Sequence, residues 1–229
     1  MNIFLRHLIA AIASAGLTWA FWSTRPEWDS EMRMWKAIGD TSLVLLYATL
    51  VIGPVARFIR GAGKLLKYRH ELGIWFGVTA LLHTYLILDG WIRWDPARLM
   101  GYDFVPQANR VVRLESGFGM ANIIGIVAVI IMIPIMITSG NWAIRFLGGS
   151  AWKYLHLGVY PVLYLVALHS TYFMYVHFSE SFHRTPPPVN WAQTPFAATT
   201  FLLFMLQAAA FTRTFLRNRN RTTIRIVNE

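Results

Sequence analysis

Apolar residues are gathered along the chain into six stretches, at about residues 4 to 22, 39 to 59, 71 to 92, 118 to 138, 153 to 177 and 195 to 212. Each approaches the roughly 20 residues that a helix needs to cross a bilayer. The pattern predicts an all-α integral membrane protein, a bundle of six transmembrane helices in which residues 1–229 form one domain. Six crossings bring both termini to one side. That side collects thirteen Lys and Arg, among them the run from Arg57 to Arg69 and the five arginines from Arg213 to Arg225, against eight on the other. Most acidic residues lie on the poorer side, so the positive-inside rule predicts that both termini are cytoplasmic. The first stretch lacks a small-residue cleavage site and opens a regular series of spans, so it reads as a helix and not as a signal peptide.

Two outer segments are long enough to hold structure, Trp91 to Glu115 and Ser179 to Trp191. Their Trp and Tyr residues suit the interfacial belt, the Pro186-Pro187-Pro188 run stiffens the second, and either is a candidate to meet an outer partner. No internal repeat or low-complexity tract stands out. The segment after Phe211 is a short basic strip.

Composition sharpens this picture. With 55% hydrophobic and 14% charged residues, the chain is too apolar for an ordinary soluble domain. The net charge of +10 sits in short runs beside apolar stretches, where it reports topology and contact with anionic lipid, and nucleic acid is not an expected partner. Cysteine is absent, which removes disulfides, thiolate metal sites and iron–sulfur clusters. Metal chemistry, if present, rests on the seven histidines.

Ionisable residues inside a bilayer are costly, so a histidine in mid-span is a functional candidate, although a neutral imidazole also serves to hydrogen-bond a neighbouring helix. His83 lies near the middle of the third stretch and His169 well inside the fifth. These two spans run parallel and carry their histidines to matching depth, the arrangement in which two helices clamp a haem iron. His70 and His156 each stand thirteen residues earlier in the same spans, one layer nearer the termini. Thirteen residues at about 100° each leave a side chain roughly 140° from its starting face, so a straight helix does not aim both members alike. Pro161 lies between His156 and His169 and is expected to bend that helix. The third span has only Gly73 and Gly77, so His70 is the weaker ligand, and His7 in the first span competes for its place. His177 and His183 are expected at the outer surface as solvated side chains. Met120, Met132, Met136 and Met174 read as packing residues. Asp40 and Asp89 sit near predicted span ends, where they reach water or cap a helix. No phosphate-cradling loop, Ser-His-Asp pattern or dinucleotide fingerprint is present.

The segments Leu50-Val-Ile-Gly-Pro-Val-Ala-Arg-Phe58, Arg69-His-Glu-Leu-Gly-Ile-Trp75, Ala80-Leu-Leu-His83, Trp152-Lys-Tyr-Leu-His156, Val159-Tyr-Pro161 and Ala167-Leu-His169, in that order, resemble the ferric-reductase-like transmembrane family, over about residues 40 to 177. The chain is similar there to the haem-binding subunits of bacterial periplasmic methionine-sulfoxide reductase systems. The resemblance implies a cytochrome of the bacterial inner membrane carrying one or two haem b. It would take electrons from the quinone pool or a cytosolic flavin reductase and pass them to a periplasmic redox partner, a methionine-sulfoxide reductase. It also implies haem ligation by His83, His156 and His169, which leaves His70 or His7, from the spacing above, as the candidate fourth ligand. An arginine pair before the Leu-Gly of the third span is associated with FMN in that family. Only Arg69 stands here in that register, and its neighbour is His70, as in two-haem reductases. Relatives that oxidise NADPH directly carry soluble domains after the last span. Only about seventeen residues follow it here, so a separate donor is expected.

Two other functions fit the same pattern. One is a haem-bearing or structural accessory subunit of a larger respiratory or photosynthetic complex. The other is a transporter relaying protons through histidines and Asp40, for which no broken pair of spans is evident.

Overall fold

The computed structural model describes residues 2–177 and 190–227, with side chains to residue 219. His183 and the Pro186–Pro188 run therefore lie outside the described residues. Six helical segments among these are long and apolar enough to cross a membrane: Ile3–Ser23, Ser30–Phe58, Ala62–Ile92, Phe118–Ile137, Gly149–Val176 and Gln193–Arg219.

The first is α1 (Ile3–Ser23), whose Ile3, Phe4, Leu8, Ile12 and Trp19 stay exposed on a face suited to lipid. α2 (Ser30–Phe58) begins well before the apolar stretch that signals it. The Asp29 carboxylate caps it by accepting the backbone N–H groups of Glu31 and Met32. Its first turns carry Glu31, Arg33, Lys36 and Asp40, which depress hydropathy without ending the helix. Asp40 does not sit at a span end in contact with water. It is 5% exposed in mid-helix, with Arg25 Nη2 at 2.7 Å from one oxygen and Lys36 Nζ bonded to the other. Arg25, at 1% exposure, is the most deeply buried cation among the described residues. Pairing with the shared Asp40 carboxylate offsets much of the charge of Arg25 and Lys36, which lets the three ionisable groups lie among packed helices.

A 3₁₀ stretch (Ala62–Tyr68) leads into α3 (Arg69–Leu86), which continues as a π-helical turn over Ile87–Ile92. The first outer segment does hold structure. It contains a single helical turn, α4 (Pro96–Leu99), and an antiparallel hairpin of β1 (Tyr102–Val105) and β2 (Arg110–Arg113), in the register Tyr102 to Arg113 and Val105 to Arg110. α5 (Phe118–Ile137) returns through the bundle and is followed by the short α6 (Asn141–Leu147).

The fifth span is broken into α7 (Gly149–His156) and α8 (Val159–Thr171), and α8 also ends in a π-helical turn, Tyr172–Val176. The break at Leu157–Gly158 is one turn before Pro161. A proline cannot donate to the carbonyl four residues back and its ring crowds that carbonyl, here that of Leu157, so the helix parts there. Gly158 makes the close passage, since a Cβ would stand 3.0 Å from the Leu155 carbonyl oxygen and 3.1 Å from Ile135 of α5. α9 (Gln193–Val227) outruns its apolar stretch and carries the basic strip as helix.

α2 is central, packing against α1, α3 and α9, while α5 packs against α3 and α8. The core joins Leu45, Leu46, Tyr47 and Leu50 of α2 to Phe76, Met132, Val162, Leu163 and Leu203. In a bilayer such contacts stabilise through close packing and interhelical hydrogen bonds, not through removal of water. Thr18 to Thr41 (3.0 Å) and Tyr47 to Thr200 (2.7 Å) are hydrogen bonds of this kind.

Candidate cofactor site

A cavity of about 500 Å³ lies among α2, α3, α5 and α8, open towards the hairpin side of the bundle. Phe76, Met132 and Val162 belong both to its wall and to the core beneath it. Its walls are mainly apolar, and two imidazoles from different helices, His83 of α3 and His169 of α8, line it together.

The two histidines are held in the same way. His83 Nδ1 lies 2.9 Å from the carbonyl oxygen of Trp35 on α2, and His169 Nδ1 lies 2.8 Å from that of Ala121 on α5. A carbonyl oxygen only accepts, so Nδ1 carries the hydrogen in each ring and Nε2 keeps its lone pair. A metal ligand needs that tautomer and that fixed orientation. A glycine one turn beyond each carbonyl makes room for the ring. A Cβ on Gly39 would stand 2.9 Å from Cε1 of His83, and one on Gly125 would stand 2.8 Å from Nδ1 of His169.

This likeness extends along the chain and corrects the reading that it has no repeat. Trp35, Gly39 and His83 recur as Ala121, Gly125 and His169, and Lys67-Tyr68, His70 and Leu82 recur as Lys153-Tyr154, His156 and Leu168, all at one constant offset. The π-helical turns that follow His83 and His169 obey nearly the same offset. Two helical hairpins of related pattern, α2 with α3 and α5 with α7 and α8, thus present one imidazole each to the shared cavity. π-helical turns are frequent at functional sites, where they re-aim a helix.

The layer nearer the termini is built differently. The His70 ring packs edge-on against His7 of α1, with centroids 5.8 Å apart, and its Nδ1 lies 3.5 Å from Glu71. His156 lies instead against Trp152, at 4.1 Å between centroids, and its Nε2 is 3.2 Å from the Thr138 hydroxyl. That hydroxyl is 2.6 Å from the Pro134 carbonyl and donates to it, so it accepts from Nε2 of His156. His83 and His169 are therefore brought together in one cavity, whereas His70 and His156 are each engaged elsewhere. Arg69 folds back on α2, where its Nε donates to the Thr49 carbonyl at 3.2 Å.

His177 was expected as a solvated surface residue, but it is half-buried at the cavity mouth, 2.9 Å from Glu115 and against the rings of Trp91, Phe118 and Phe173. Glu115 also accepts from the Tyr172 hydroxyl at 2.5 Å, which ties the segment after the hairpin to the π-helical turn of α8. Lys36 reaches the same wall of the cavity. Neither Lys36 nor His177 stands out in the sequence, although Lys36 is one helical turn before Asp40 and His177 about two turns after His169.

The donor set fits a haem. Two neutral nitrogens from two helices, oriented by carbonyls and cleared by glycines, face an apolar space of a size typical of ligand pockets.

Residues 37–167 match the family described as ferric reductase like transmembrane component. Among individual relatives, the protein-methionine-sulfoxide reductase heme-binding subunit MsrQ of Ralstonia nicotianae is 32% identical over 136 residues, covering 58% of this chain and 55% of the relative. MsrQ of Azospira oryzae is 32% identical over the same length, covering 58% of this chain and 52% of the relative. The magnetosome protein MamZ of Paramagnetospirillum magneticum is 30% identical over 143 residues, covering 58% of this chain but 19% of the relative. The chain thus spans about half the length of the MsrQ proteins it matches and about a fifth of MamZ.

Proposed function

The chain belongs to the ferric reductase like transmembrane component family, and from that premise we propose that it is a multi-pass cytochrome b of the bacterial inner membrane that carries electrons for a separate reductase. The matched tautomers of His83 and His169, facing one cavity, are the observation that carries this reading. A haem held by His83 and His169 would supply one-electron chemistry, which suits electron transfer rather than reaction with a substrate. His83 and His169 would hold the iron, Gly39 and Gly125 would admit their rings, and Lys36 and His177 would meet charge at the cavity mouth. We assign one haem to each chain, because His70 and His156 have other partners. No flavin is assigned to Arg69, whose Nε is committed to Thr49.

The MsrQ proteins are named as heme-binding subunits of a methionine-sulfoxide reductase, and a periplasmic enzyme of that class is the acceptor we propose. Both termini then lie in the cytoplasm and the hairpin faces the acceptor. The donor is quinol or a cytosolic flavin reductase. Anaerobic mixing of the oxidised purified protein with a short-chain quinol, or with a flavin reductase and NADH, checks this by absorption. One of the two reduces the haem rapidly, and failure of both rules out the donor assignment.

Two substitutions test the site itself. Gly125→Val places carbon atoms where the His169 ring now sits, so its haem content falls well below that of the wild type while the protein still inserts. Lys36→Met removes a positive charge from the cavity wall, which favours the oxidised form and lowers the midpoint potential by on the order of tens of millivolts. A potentiometric titration reads that shift, and an unchanged or raised potential contradicts the placement of Lys36.

A further inference from the structure

We propose that His7, His70 and Glu71 form a second site, for a first-row divalent transition-metal ion, on the termini side of the bundle and separate from the haem cavity. One ligand atom from each of the three residues can be chosen so that all lie within 4.8 Å of one another. Two imidazoles and one carboxylate are a donor set suited to such ions, and the set leaves coordination positions open.

The strongest sign is Glu71. Its side chain is 1% exposed, and neither carboxylate oxygen accepts a hydrogen bond. A buried carboxylate in that condition is costly, and a bound cation is one of the few arrangements that accounts for it. Two features lessen the cost without removing it. Arg6 Nε stands 3.3 Å from Oε1, although it too makes no hydrogen bond, and the guanidinium is turned to donate to the Lys67 carbonyl at 2.8 Å. Glu71 also lies in the first turn of α3, where the helix dipole favours negative charge.

Ligands about 2.0 to 2.1 Å from zinc stand about 3.3 Å apart in a tetrahedron, so the three groups must close by up to about 1.5 Å. His7 and His70 are only partly buried and have the freedom to do so. The ion would tie α1 to α3, two helices whose contact involves Arg6. This site also gives His70, one of the two candidates for a fourth haem ligand, a role that does not require a haem between it and His156.

The test uses the full chain, purified in detergent without a histidine tag, loaded with haem and freed of metal by a chelator. Calorimetric titration with ZnCl2, checked by equilibrium dialysis and metal analysis, is expected to give one saturable site per chain. Glu71→Gln and His7→Ala each weaken it at least about tenfold, the lower bound for losing a group that merely supports a ligand. Retained haem in both variants shows that the fold is intact. A measurement on the unaltered chain guards against loss of fold: bound zinc shields His7 and His70 from diethyl pyrocarbonate, read by peptide mass spectrometry. Absence of saturable binding, full binding in both variants, or unprotected His7 and His70 each overturns the proposal. So does loss of haem on His70→Asn, which would make that residue a haem ligand.

Discussion

His169→Ala yields protein that inserts into the membrane and purifies without a haem spectrum, and His83→Ala does the same. Each substitution removes one of two nitrogens whose tautomer is set by a backbone carbonyl 2.8 to 2.9 Å away. The remaining imidazole cannot replace its partner, because it is anchored to its own neighbouring helix. His156→Ala, by contrast, leaves haem content unchanged, since Nε2 of His156 is engaged with Thr138 and its ring with Trp152. Haem extracted and quantified per chain in the three variants separates these outcomes. Loss of haem on His156→Ala alone would move the site to the other layer.

The second large effect is on stability. Asp40→Ala leaves Arg25, 1% exposed, without the carboxylate that it meets at 2.7 Å, and it leaves Lys36 without the same partner. Breaking a buried pair by removing one member costs about 3–5 kcal/mol, because the other charge remains buried. Thermal unfolding in detergent should show a markedly lowered midpoint for Asp40→Ala. Arg25→Met with Asp40→Leu, which removes the main pair together, should recover much of the loss. An Asp40→Ala protein as stable as the wild type would mean that the trio is not a buried ionic unit.

Both results turn on features that the chain disclosed unevenly. The six crossings were legible because length and hydropathy alone decide them, and the matched depth of His83 and His169 followed from counting along two parallel spans. The start of α2 was not legible, because Glu31, Arg33, Lys36 and Asp40 look like a polar linker until Arg25 is seen folding over Asp40 from another segment. His177 was misjudged for a related reason. Its burial depends on Glu115 and on the rings of Trp91 and Phe118, none of them near it in sequence. The expected bend at Pro161 did occur, but one turn earlier, at the carbonyl that the proline cannot bond. The recurrence of Gly39 and His83 as Gly125 and His169 was within reach of the sequence. The equal spacing of the histidine pairs and the repeated Lys-Tyr before His70 and His156 were its signals, yet the intervening apolar residues are too interchangeable to show it. What no spacing reveals is which way a histidine turns: His70 and His156 share the register of a second layer and face different neighbours.

A reduced-minus-oxidised absorption spectrum of the purified chain, with haem and protein quantified on the same sample, tests the central claim most directly. A cavity held by His83 and His169 predicts a b-type spectrum with one haem per chain, lost on replacing either histidine. A colourless protein, or a spectrum that survives both substitutions, would contradict it.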